Sequence, residues 1–167
     1  MKKVVFLVAA LVNLSLTYAQ KSTKALNEQL IGTWELVSVD NIYPDSSRVH
    51  PYGKNPQGML IFGVNGNYAI QILKADRPKI ISGDKNNCTP EENVMMVQGS
   101  NSHFGKYSVD EADQTITFKI VHASFPNWEG TIQKRSYTYT GNEIKYVVTH
   151  TTQGGQSVIA EVAWRRL

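Results

Sequence analysis

From Gly32 onward apolar and polar residues alternate with a period of two, run after run, and few architectures can absorb that pattern. Trp34, Leu36 and Ser38 alternate with Thr33, Glu35, Val37 and Val39, as expected of a half-buried strand. Gly58 to Phe62 and Asn67 to Leu73 follow, joined through Asn65-Gly66, a pair suited to a tight hairpin. His103 to Val109, Thr115 to His122, Thr131 to Tyr139, Glu143 to His150 and Ser157 to Arg165 complete a set of eight, separated by turns such as Thr140-Gly141-Asn142. Antiparallel neighbours on short turns leave two open edges unless the sheet closes on itself. The chain therefore predicts an all-β fold, an eight-stranded antiparallel up-and-down barrel wide enough for side chains or one small ligand.

The remaining segments punctuate this pattern. Residues 20–30 read as a short lead-in helix, and the stretch containing Pro44, Asp45, Pro51, Gly53 and Pro56 reads as loop. Residues 74–88 are polar and loop-like. Thr89-Pro90-Glu91-Glu92 then carries an N-cap, a proline at the first helical position and a glutamate at the third, predicting one short helix from Pro90 to near Ser100. Val94, Met95 and Val97 are its expected apolar contacts.

The first nineteen residues have another character. Lys2 and Lys3, the apolar run Val4 to Leu16 and the end Thr17-Tyr18-Ala19 predict a secretory signal peptide over 1–19, leaving 20–167 as one domain in the periplasm or the medium. The run is short of the roughly 20 apolar residues of a membrane span, so no membrane insertion of the mature chain is expected. Of 17 Lys and Arg and 14 Asp and Glu, cleavage removes Lys2 and Lys3 alone, leaving 15 basic against 14 acidic groups. That balance, with no long basic run, argues against nucleic acid as a partner. The one cysteine, Cys88, excludes an intramolecular disulfide scaffold, and four histidines without metal-ligand spacing give no reason to expect a metal.

Several strings in fixed order carry a resemblance. Gly32-Thr33-Trp34-Glu35-Leu36-Val37-Ser38 is followed by Pro56-Gln57-Gly58-Met59-Leu60-Ile61-Phe62 with Asn65-Gly66, then Gly105-Lys106-Tyr107. Phe125-Pro126-Asn127-Trp128-Glu129-Gly130-Thr131 with Gln133 and Arg135, and Ala163-Trp164-Arg165-Arg166, complete the series. Together, from about Leu30 to the C-terminus, they resemble the bacterial and fungal lipocalin-like domain family. The resemblance implies a calycin-type barrel with a pocket open at one end. Members include binding modules and enzymes that cyclise, isomerise or eliminate, so it implies no single activity. Phe118 stands where many members carry a histidine, a departure from the pattern. Trp34 and Trp164 resemble the barrel-floor tryptophans, with Arg165 or Arg166 expected to stack on Trp34.

Alternation also sorts side chains by face. Ile116, Phe118, Ile120 and His122 form one set, and Gln133, Arg135, Tyr137 and Tyr139 another. His103 shares a face with Tyr107, and Tyr146 with His150. An interior holding these groups needs them to satisfy each other or a polar ligand. The inventory suits elimination or isomerisation beside a carboxylate without a cofactor. His122 or His103 is the candidate base, and Tyr107, Tyr137 or Tyr146 the candidate acid. Arg135 with Gln133 is the candidate carboxylate clamp, with His150 and Trp128 as further ligand contacts. A lyase or dehydratase acting on uronic-acid oligosaccharides is one expectation. A non-catalytic exported carrier of a small amphipathic molecule is the other, and the contents of the pocket separate them.

Overall fold

The computed structural model describes residues 26–153 and 155–167. The expected signal segment over 1–19 and residues 20–25 of the expected lead-in helix lie outside these. Nine strands run β1 (Gly32–Ile42), β2 (Arg48–Val49), β3 (Gln57–Phe62), β4 (Asn67–Leu73), β5 (Ser100–Asp110), β6 (Thr115–Ala123), β7 (Ile132–Tyr139), β8 (Glu143–Gln153) and β9 (Gln156–Arg166). Each pairs antiparallel with the next from β3 to β9, and β1 pairs with both β3 and β9, so eight strands close an up-and-down barrel. The two-residue β2 is an addition that alternation could not reveal, hung on the outer end of β1 through Asn41 and Ile42.

Helix α1 (Leu26–Leu30) stoppers one end. Leu30 is fully buried, the Trp34 indole donates to its carbonyl at 2.9 Å, and the Arg166 guanidinium lies 4.2 Å from the Trp34 ring while donating to the Ile31 and Gln29 carbonyls. That cation–π contact closes the floor that the terminal arginines were expected to make. Above it Trp164, Leu60, Phe62 and Ile144 fill the barrel. The turn between β3 and β4 belongs to the same end, and Gly66 takes a φ of +73° that side-chain-bearing residues seldom adopt.

Helix α2 (Pro90–Gln98) starts on the expected capping box: Thr89 accepts from the Glu92 amide, and Glu92 accepts from the Thr89 amide. It buries none of its residues. Val94 and Val97 are exposed rather than packed, and of its apolar side chains Met95 and Met96 alone are half-buried.

Two bulges break strict alternation where it matters. In β1 the register with β9 slips by one between Leu36 and Ser38, so Val39 and Asn41 face inward, not Ser38. In β6 the register slips opposite Phe104 and Gly105, adding Val121 and reversing every face beyond it. The second bulge presses so close to Gly105 that a Cβ there would stand 2.1 Å from the Lys119 carbonyl oxygen and 2.9 Å from the Val121 nitrogen. Glycine makes this bulge.

Candidate functional site

The end away from α1 opens into a cavity of about 450 Å³. Its apolar wall comes from β1, β4, β8 and β9, including Val39, Ile72, Val148, Ala160 and Val162. The polar residues enter from β5 and β7, which run down beside each other's neighbour β6. Asn101 and His103 come from β5, Gln133 and Arg135 from β7, Tyr146 from β8, and Trp128 leans in from the short 3-10 turn Pro126–Trp128.

Arg135 is the centre of this arrangement, only 6% exposed. Its guanidinium lies between two aromatic faces, 4.6 Å from the Phe118 centroid and 4.7 Å from the Tyr146 centroid. One amino group donates to Gln133 Oε1, while Nε is buried without a hydrogen-bond partner. Among the described residues no Asp or Glu lines the cavity, and no acidic group forms an ion pair with Arg135. A buried cation with no counter-ion is costly unless an anion arrives to meet it.

His103 is next to it, 4% exposed, with Nδ1 2.9 Å from the Tyr68 hydroxyl and its ring edge-on to Trp128 at 6.0 Å. Burial, reinforced by the neighbouring Arg135 charge, holds its pKa down to about 3. Burial likewise pushes the Tyr68 phenol well above its ordinary range, with Arg135 partly opposing. The pair therefore stays neutral, an imidazole against a protonated phenol.

This shift fixes a pH dependence. Between the ordinary histidine range near 6.5 and about 3 the unfolded chain takes up a proton that native His103 refuses. His103 thus favours the fold fully above about 6.5, and the advantage falls away as pH drops toward 3. Melting temperatures measured from pH 7 to 4 are expected to decline more steeply for the native protein than for His103→Gln. Parallel lines would mean that His103 is solvated and charged.

The structure sorts the residues anticipated from sequence. His103, Gln133, Arg135, Tyr146 and Trp128 meet around the cavity. Tyr107 and Tyr137 are buried, but in the closed half: Tyr107 packs on Phe62 at 4.5 Å and donates to the Gly63 carbonyl, so neither lines the cavity. His122 does not point inward. The Val121 bulge turns it to the outside, where its side chain is 63% exposed, 5.6 Å from the Phe104 ring and 3.3 Å from Glu129. His150 lies on β8 inside another register slip, between Val148 and Thr151, and its side chain lies outside what is described. Among the described residues no three His, Cys, Asp or Glu side chains gather as a metal would need.

Alternation also missed Tyr68, Asn41, Tyr52 and Asn101. Tyr68 shares its face with Ile70 and Ile72, so alternation alone gives it no role beyond packing. Asn41 enters only because of the β1 bulge. Tyr52 is brought to the mouth by a loop tied down from outside: Asp40 and Glu161 sit opposite each other on β1 and β9 and are bridged by Arg48, at 3.5 and 2.6 Å, while His50 Nδ1 is 2.7 Å from Asp40. Its carbonyl accepts from the Ala75 amide.

A family model described as a lipocalin-like domain matches residues 31–167, which takes in every strand of the barrel. No curated protein matches the chain.

Proposed function

The chain belongs to the lipocalin-like domain family, and on that premise we propose that its barrel captures a small amphipathic acid, carboxylate inward. The observation that carries this is Arg135, buried, unaccompanied by any acid of the lining, and left with an open Nε–H. A carboxylate accepts from such a guanidinium through two oxygens and removes the cost of the unpaired charge. The apolar wall supports a ligand with a hydrocarbon body over a bare sugar acid, whose many hydroxyls would go unpartnered against Val39, Ile72 and Val162.

The Tyr68–His103 hydrogen bond favours a second reading, in which the bound acid also reacts. With Nδ1–H donating to the Tyr68 oxygen, the Nε2 lone pair takes the proton from the carbon beside the carboxylate. Tyr146, which lines the cavity, protonates the departing hydroxyl as the double bond forms and water leaves, and Arg135 holds the charge that builds on the carboxylate. Capture ranks first because an imidazole with a pKa near 3 is a weak base in the empty cavity. A carboxylate on Arg135 offsets only the second of its two causes.

Calorimetric titration tests the capture, and ultraviolet absorbance the reaction. Benzoate and 3-phenylpropanoate are expected to bind, and their uncharged amides to bind at least about tenfold more weakly, since a hydrogen bond to a charged group is worth about 1.5–3 kcal/mol. Equal affinity for acid and amide would sink the proposal. Appearance of a conjugated double bond in ultraviolet absorbance, with 3-hydroxy acids as substrates, would add the elimination, and its absence would leave capture alone. The proposal includes export, supported by Lys2, Lys3, the Val4 to Leu16 run and Ala19. Gln20 is then the N-terminal residue of the protein recovered outside the cytoplasm.

A further inference from the structure

Arg135 Nε is not the only buried polar atom of the cavity left without a partner. Asn101 Oδ1 is another, on a residue that lines the same space from β5. The Asn101 amide nitrogen is already used, since it donates to the Tyr52 hydroxyl and opposes the burial that raises that phenol's pKa. Asn101 and His103 lie two residues apart on one strand, so the open acceptor stands about 7 Å along the wall from the imidazole beside Arg135. The cavity thus offers an unsatisfied cationic donor near its base and an unsatisfied neutral acceptor nearer its mouth.

Resting on the acid-capture reading, we infer that the ligand is a hydroxy acid, with its carboxylate on Arg135 and a hydroxyl, set off by a hydrocarbon spacer, donating to Asn101. The donor is a hydroxyl and not an ammonium because the lining carries Arg135 and Lys134 and no carboxylate to accompany another positive charge. The spacer is apolar because Val39, Ile72, Val148, Ala160 and Val162 line the same cavity, and a polyhydroxylated chain would strand hydroxyls against them. The ligand is in this way read at two points, charge at one end and a single hydroxyl at the other.

The test is a ladder of matched probes titrated into the intact protein: 4-hydroxybenzoate, 4-hydroxyphenylacetate and 3-(4-hydroxyphenyl)propanoate, each against its parent acid without the hydroxyl. One rung is expected to bind about tenfold tighter than its parent, the effect of satisfying one buried acceptor. In Asn101→Leu that preference, read as the ratio of hydroxylated to parent acid on the variant itself, is expected to fall to about onefold. The 4-methoxy analogue of the preferred rung, which cannot donate, is expected to lose the advantage on the unaltered protein, so the result does not depend on the variant folding. Parents that bind with no hydroxyl preference on any rung, or a preference that survives Asn101→Leu, would overturn the hydroxy-acid inference and leave acid capture standing. If neither parents nor hydroxylated acids bind, both fall together.

Discussion

Gly105→Ala is expected to lower the melting temperature by roughly 6–12 °C, the largest loss from any single added methyl group in this barrel. The cause is local and steric. The added Cβ would lie 2.1 Å from the Lys119 carbonyl oxygen and 2.9 Å from the Val121 nitrogen, and both obstacles are backbone. A flexible side chain could swing aside; a paired strand cannot. Relief requires β6 to move away from β5 at the point where the bulge is made, breaking ladder hydrogen bonds on both sides, at a cost of about 3 kcal/mol. Thermal unfolding followed by circular dichroism reads this directly. The expected damage goes beyond stability. If the bulge is driven out, β6 beyond Val121 regains plain alternation, and His122 would turn toward the interior beside His103. A shift of less than about 2 °C would show that β6 yields freely, and that Gly105 is a convenience rather than a requirement.

The same bulge explains how much of the molecule could be read from the chain. Eight strands, their order and the closed barrel were legible, because each rests on local alternation and turn chemistry; the floor came from the resemblance, which left Arg165 and Arg166 open where the structure stacks Arg166 on Trp34. Side-chain direction was legible only as far as the first irregularity. Gln133, Arg135 and Tyr137 lie on an unbroken stretch of β7, and all three face inward as their spacing required. His122 lies one residue past an insertion that nothing in Thr115 to Ala123 announces, since Val121 reads as an ordinary strand valine. The signal that existed was on the other strand. Gly105 interrupts β5, and a glycine inside a strand marks a bulge or a close backbone approach. Asn41 was lost in the same way, to an extra residue between Leu36 and Ser38. Depth within the barrel was not legible at all from parity. Tyr107 and Tyr137 share the interior with His103 and Arg135, yet belong to the stoppered half, and only the register across all eight strands separates the halves. Tyr68 was overlooked for the opposite reason. An aromatic among isoleucines looks like packing until its hydroxyl is found on the His103 ring.

Arg135→Met is expected to weaken binding of benzoate or 3-phenylpropanoate about 100-fold, near 3 kcal/mol, while leaving the melting temperature unchanged or raising it. The two effects have opposite signs because one group is judged in two states. In the empty protein the guanidinium is desolvated and has no anion beside it. Exchanging it for an unbranched apolar chain of similar reach removes that penalty, as replacing buried charges by hydrophobic residues often does. Against this stands its place between Phe118 and Tyr146, where cation–π contacts contribute about 2 kcal/mol each when desolvated. A thioether between the same two rings keeps much of the packing and some sulfur–aromatic attraction, so the balance falls at or above zero. In the ligand-bound protein nothing replaces the charge, and the carboxylate is left to face an apolar floor. Arg135→Lys sharpens the distinction: it preserves the charge but not the planar fork or the stack, and is expected to bind the acids more weakly than the native protein and more strongly than Arg135→Met. The His103 ring reports independently. With the neighbouring charge gone, its pKa is expected to rise from about 3, yet to stay below the ordinary histidine range, because burial is the first cause of its depression and burial remains. Ring proton shifts in NMR across an acid titration would show this. If Arg135→Met instead melted far below the native protein and still bound the acids, the arginine would be a pillar of the core, and the anion would be held elsewhere in the cavity.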